Sequence, residues 1–228
     1  GQLLSVFEDS NGNAEMNMRD GAGVVKARVD TDGYSYLLGG NVGIGTAVPS
    51  GLLHVSAGDT GDAVVIIEAD EDNVGSENDN PHLELRQDGA SIKAKLGIEG
   101  NAGNTYSNSL ANATYLGTVF EQPLQFITGD TGSVQTAKMT ILANTGNVGI
   151  GHTAPASRLH IKDNNTETGN STGLTIEQDG TGDAIAHFLL TGTRRWVLGV
   201  DNSDSDKFKL ASTSDLDSDA AITVTTGG

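Results

Sequence analysis

The chain has no cysteine. No disulfide framework can staple it and no thiolate can hold a metal, so its redox compartment is not written in the sequence. Aromatic residues are scarce, at 4% of 228 residues with a single tryptophan, and apolar residues together reach 36%. That is a thin supply for the core of a compact monomer, and it points to burial against other copies of the chain. Basic residues are few: 13 Lys and Arg face 30 Asp and Glu, a net charge of −17. Phosphate binding needs a basic face, so nucleic acid is not expected as a partner, nor is an anionic membrane surface. The opening "GQLLSVFEDSNGN" lacks the basic-then-apolar pattern of a secretion signal. No apolar run approaches the length of a transmembrane helix, so no membrane insertion is expected.

What is present is glycine, 31 residues of it, and strict alternation of apolar with polar residues. In "SIKAKLGIE" Ile92, Ala94, Leu96 and Ile98 share one face, with Lys93, Lys95 and Glu99 opposite. Leu159 and Ile161 alternate with Arg158, His160 and Lys162, and the series Trp196, Leu198, Val200 and Phe208, Leu210 follow the same rule. This period of two is the signature of half-buried strands. The continuous run "AVVIIEA" (63–69) predicts a strand buried on both faces. Turn pairs such as Asp20-Gly21, Asp32-Gly33 and Asp88-Gly89 separate the runs. The best helical stretch, 106–117, is rich in Asn, Ser and Thr, which suit helix interiors poorly. The chain reads as all-β.

It also repeats. "GNVGIG" stands at 40–45 and again at 146–151, followed by "TAVPSGLLHV" and "HTAPASRLHI". Each copy leads to an expected apolar strand ending in Glu, within "VVIIEADED" (64–72) and "GLTIEQDGT" (173–181), and then to a hairpin. "MNMRDGAGVVKARVD" (16–30) aligns with "LELRQDGASIKAKLG" (83–97) without a gap. The resulting organisation is a partial β repeat at 1–39, a module at 40–145 and a shorter module at 146–228, with the array expected to continue beyond. The units are too long for simple solenoid coils and read as small antiparallel β modules in tandem.

The repeated phrase invites a nucleotide reading, because glycines in G-x-G-x-x-G order cradle pyrophosphate after a strand and before a helix. Here the order is reversed, a proline loop follows, and no phosphate-loop lysine is present. The structural reading is stronger. Val42 and Ile44, like Val148 and Ile150, face one side of a short strand. Gly43 and Gly149 leave the other side bare for a closely approaching backbone. Gly45, and Gly151 in the second copy, permits the turn that follows, Pro49 or Pro155 stops the ladder, and Gly40 and Gly146 open the phrase. The ten glycine, valine and isoleucine residues of the two phrases are expected to form a joint that locks into neighbouring chains.

"GNVGIGTAVPSGLLHV", "TGNVGIGHTAPASRLHI" and "RRWVLGVDNSDSDKFKLA" (194–211) resemble the repeats of phage tail fibre and tailspike shafts. The resemblance covers most of 16–228. It implies an elongated, intertwined homotrimeric β fibre, a structural shaft or receptor-proximal segment that supports adhesion to a host surface glycan or protein. It implies a virion location after assembly in the host cytoplasm. Many such fibres end in an intramolecular chaperone domain, which these residues do not include. The alternatives are a tailspike segment with polysaccharide depolymerase activity and a cellular surface adhesin or filament protein.

No enzyme chemistry is expected. Glycoside hydrolysis needs paired carboxylates and aromatic platforms, whereas the acidic residues here cluster in turns such as "EADEDN" and "DNSDSDK". The stretch from Asp9 lacks the glycine and closing Glu of a calcium loop. His54 and His160 are repeat equivalents that three-fold symmetry could bring together around a metal, but nothing adjacent supplies further ligands, so no metal or other cofactor is expected. No G-x-S-x-G elbow is present. Trp196 is a candidate glycan contact, with packing in a core or between chains the favoured role.

Overall fold

The computed structural model describes residues 4–8, 12–70, 78–103, 106–129, 135–164, 166, 168, 173–192, 194–217 and 220–227. The all-β expectation holds. The chain divides into two compact units, Gly1–Glu68 and Ala69–Gly228. This division and the sequence period cut the chain at different places, and one sheet of the second unit runs across the 145/146 repeat boundary.

The first unit holds strands β1 (Leu4–Glu8), β2 (Ala14–Arg19), β3 (Val25–Asp30) and β4 (Tyr36–Leu37), paired in sequence order as an antiparallel sheet. A two-stranded pair follows, β5 (Val42–Ile44) with β6 (Leu53–Val55). The second unit holds three sheets. The first is β7 (His82–Gln87), β8 (Ile92–Ile98) and β9 (Thr114–Val119). The second is β10 (Leu124–Thr128), β11 (Thr136–Ile141), β12 (Val148–Ile150) and β13 (Leu159–Ile161). The third is β14 (Ala184–Leu190), β15 (Arg194–Asp201), β16 (Lys207–Ala211) and β17 (Ala220–Val224).

The gapless alignment of the first two hairpins is reproduced in their registers. Met16↔Val29, Asn17↔Arg28 and Met18↔Ala27 in β2–β3 match Leu83↔Leu96, Glu84↔Lys95 and Leu85↔Ala94 in β7–β8. A strict period of two thus places the same residue classes on the same faces twice.

Two expectations need correction. The modules are not purely antiparallel, because β5–β6 and β12–β13 are parallel pairs. The run 63–69 is not a doubly buried strand: residues 62–70 carry no strand, and Val64 to Ile67 are all exposed. Its repeat counterpart at 174–179 is likewise unpaired. A strand exists only where a second backbone answers its N–H and C=O groups, and among the described residues neither segment meets one. The stretch 106–117, whose Asn, Ser and Thr suit a helix poorly, forms turns and then enters β9.

The core is small. Among the described residues, the only fully buried apolar side chains are Val197, Ala211 and Leu216. The chain exposes 16605 Å², whereas a compact chain of its mass exposes about 9,800 Å² and two separate compact pieces about 12,000 Å².

Candidate self-association surface and the repeated glycine joint

The two joints are built alike. In the first, Val42↔Leu53, Gly43↔His54 and Ile44↔Val55 pair in parallel. In the second, Val148↔Leu159, Gly149↔His160 and Ile150↔Ile161 do the same. The ladder is closed by Val42 N–H donating to Leu52 O and Ser56 N–H to Ile44 O, at 2.8 and 2.9 Å. The counterparts are Val148 N–H to Arg158 O and Lys162 N–H to Ile150 O, both 2.9 Å. Parallel strands normally need a crossover of about a dozen residues or more. Here a short proline loop suffices because it is pinned at two points. Asn41 Nδ2 donates to Pro49 O at 3.1 Å, and Asn147 Nδ2 to Pro155 O at 3.1 Å. Ser50 N–H donates to His54 Nδ1 at 3.2 Å, and Ala156 N–H to His160 Nδ1 at 3.3 Å.

These contacts show why the phrase carries its central glycines. A Cβ on Gly43 would collide with the carbonyl oxygen of Thr46, and one on Gly149 with that of His152. Gly45 and Gly151 have φ of +75° and +66°, and their Cβ atoms would strike the carbonyls of Ser56 and Lys162. The backbone that approaches Gly43 and Gly149 is the chain's own loop. The sequence foresaw the close approach and assigned it to a neighbouring chain; the geometry assigns it to the loop that makes a parallel step compact. Val42, Ile44, Val148 and Ile150 share the face opposite that loop, and Gly40 and Gly146 stand at its entry with φ of +126° and +66°.

His54 and His160 are explained by the same loop. Each Nδ1 accepts a backbone N–H, which leaves Nε2 as the protonated nitrogen of the neutral ring. His152 packs edge-on against His160 with ring centroids 4.5 Å apart, and burial together with His160 pulls the His152 imidazole below the ordinary histidine range. The asparagines were not singled out from sequence, although an Asn four positions ahead of the turn glycine in both copies was the visible signal.

The sheets share a less expected feature. Across β7–β8–β9, Leu83, Leu96 and Leu116 form one rung, and they are 51%, 52% and 51% exposed. The opposite face is the covered one. There Glu84 accepts from Arg86 and lies 3.8 and 3.4 Å from the Lys93 and Lys95 ammonium groups. The hydrogen bond from Arg86, with Lys95 behind it, holds the Glu84 carboxyl below its usual range. Tyr106 folds over Gly117 and meets the Tyr115 ring at 5.0 Å, so Tyr106 covers that side.

The sheet β10–β13 repeats the plan. Its apolar rungs are Leu124, Ile141, Val148, Leu159 and Phe126, Met139, Ile150, Ile161. Between them, on the other face, run Gln125, Thr140, Gly149 and His160, covered by the proline loop so that Thr140 is buried. In β14–β17 the rungs Val200, Phe208, Val224 and Leu198, Leu210, Ile222 lie on one face. The other carries Val197, Ala211 and a buried ion pair, Lys209 Nζ to Asp201 Oδ2 at 2.5 Å, under Leu216. Hydrogen bonds from Lys209 first and Ser203 second hold the Asp201 carboxyl down at about 2. In the first unit, Met16, Met18, Ala27 and Val29 take one face, with Asn17, Arg28 and Glu15 opposite; Arg28 pairs with Glu15 at 3.2 Å.

Among the described residues, each of these sheets thus covers the face that carries its ion-paired or hydrogen-bonded polar residues, which in β14–β17 also carries the Val197, Ala211 and Leu216 core, and leaves its second, apolar face largely exposed. Trp196 belongs to that bare face, opposite Phe188 in the register. Beside it lies an open depression of about 540 Å³ lined by His187, Phe188, Leu189, Leu190, Arg194 and Trp196. Its walls combine the Phe188 and Trp196 rings with Leu189 and Leu190, and Phe188 and Trp196 are a cross-strand pair of this sheet. Asp183, Asp201 and Asp217 bring carboxylate oxygens within 4.8 Å of one another, but Asp201 is already neutralised by Lys209. The calcium-like stretch from Asp9 begins outside the described residues. No family model matches the chain and no curated protein sequence matches it, so its own residues and geometry carry the functional reading.

Proposed function

We propose that the chain is a non-enzymatic structural segment of a phage tail fibre, in which three copies bury their apolar sheet faces against one another. The observation that carries this is the inverted burial of the sheets: aliphatic rungs lie bare while the ion-paired faces are closed. Covering the excess surface at about 25 cal/mol per Å² is the largest favourable term open to such a chain. Obligate interfaces of 2,000–5,000 Å² or more are ordinary for permanent assemblies. The acidic exterior keeps assembled rods from adhering to one another. The phage assignment draws on the repeated phrase and its resemblance to fibre shafts, and the host ligand would be a surface glycan or protein.

Light scattering tests the core of this reading. The wild-type chain is expected at three times its own mass, and Leu96→Asp, at the middle of the leucine rung, at single-chain mass. A well-folded wild-type monomer overturns the shared core and moves the cellular adhesin reading ahead. Release of new reducing ends from host polysaccharide would favour the depolymerase alternative.

A further inference from the structure

Two segments are written as strands and have no ladder. Val64, Val65, Ile66 and Ile67 are β-branched without exception, and Leu174-Thr175-Ile176 alternates. Among the described residues, no backbone group of 64–68 or 174–177 pairs with another backbone group. Ile66 is 77% exposed and Leu174 69%. The same outcome occurs twice, at the same place in the repeat, after the parallel pair and before the next hairpin. The second segment is joined to β14 by residues 178–183 alone, a short connection, yet among the described residues it does not pair with that edge. A local sequence that favours a strand, without a backbone partner among the described residues at two equivalent sites, calls for a partner elsewhere.

We infer that residues 64–68 and 174–177 are intermolecular strands, each completed by the backbone of another copy of this chain. This rests on the self-association reading above and adds to it the segments that exchange. The occupant is a second copy for two reasons. The surface left over relative to a compact chain is thousands of Å², the scale of an obligate self-interface. Among the described residues β7, β9 and β14 stand at sheet edges that a strand could join, and each flanks an apolar face. Pairing there satisfies the backbone groups and covers Val65, Ile67, Leu174 and Ile176 in one step.

Amide hydrogen exchange on the wild-type assembly is the test. Residues 64–68 and 174–177 are expected to exchange on the order of 100-fold or more slowly than free chain. In separated Leu96→Asp chains that protection is expected to vanish while β14–β15 stays protected. An assembled particle with freely exchanging segments overturns the inference and leaves the self-association reading standing. A wild-type monomer overturns both. Protection that persists in separated chains means own-chain pairing and overturns the inference. The double change Thr175→Pro with Ile176→Pro is a second check. Neighbouring N–H groups point to opposite sides of a strand, so one of the two deletions must strike the ladder. The assembly is then expected to fall apart at lower denaturant, and unchanged resistance counts against the proposal.

Discussion

The two glycine joints are one design in two settings. The first stands as a two-stranded pair, because β4 turns back to pair with β3. The second is stitched into a four-stranded sheet, because β12 also pairs with β11. The difference lies in the approach. Before the second joint, residues 142–147 form a turn closed by Leu142 N–H to Asn147 O and Gly146 N–H to Leu142 O, at 3.0 and 2.9 Å. The first copy, "LLGGN", is shorter and forms no such turn; Leu38 N–H goes instead to Lys26 O at 2.6 Å. The joint therefore carries its own closure, and the preceding residues decide whether it stands alone or extends a sheet.

Substituting the central glycine should break this comparison most sharply. Gly149→Ala drives a Cβ into the His152 carbonyl and is expected to cost on the order of 3 kcal/mol, read as a lower denaturation midpoint for the second unit. Gly43→Ala makes the same collision but should release only β5–β6, with a smaller global loss. Equal losses would show that embedding in the larger sheet contributes nothing.

Acid sharpens the comparison from a neighbouring sheet. The Asp201 carboxyl is depressed to about 2 by Lys209 and Ser203, so its contribution is present above the ordinary value of 3.8 and is lost as pH falls through about 2. Amides of β15 and β16 should lose exchange protection across that window. In Lys209→Met they should already be weakly protected at neutral pH.

The histidine locks come next. His160→Ala and His54→Ala each remove the acceptor of one backbone N–H, a loss of about 1 kcal/mol. The second joint should lose slightly more, because the His152 edge contact goes too. Chemical denaturation of each variant checks the order. Arg158→Ala, which frees the Thr145 carbonyl at an exposed site, should change stability by no more than about 0.5 kcal/mol.

Much of the architecture was legible because strand alternation is a local signal. The faces of β8, β13, β15 and β16 follow from the period of two, and the hairpin alignment even carried the register. The glycine spacing announced a close approach without saying whose backbone approaches, since a bare Cα fits a loop and a neighbour equally well. The inverted burial was not legible. Alternation says which residues share a face, not which face the chain covers, and that depended on Tyr106, Leu216 and the proline loops reaching over the polar side. The runs at 64–68 and 174–177 misled for a related reason: propensity states what a segment favours, while a ladder requires a second backbone.

The parallel step at each joint also sets how the chain bears load. A hairpin brings the chain back to the end where it entered, so tension on its two ends peels the hydrogen bonds apart one at a time. In β5–β6 and β12–β13 the chain enters at one end of the pair and leaves at the other. Tension there slides the strands along each other and strains every rung together. The glycine phrase thus places a shear-resistant clasp between hairpins that would otherwise unzip.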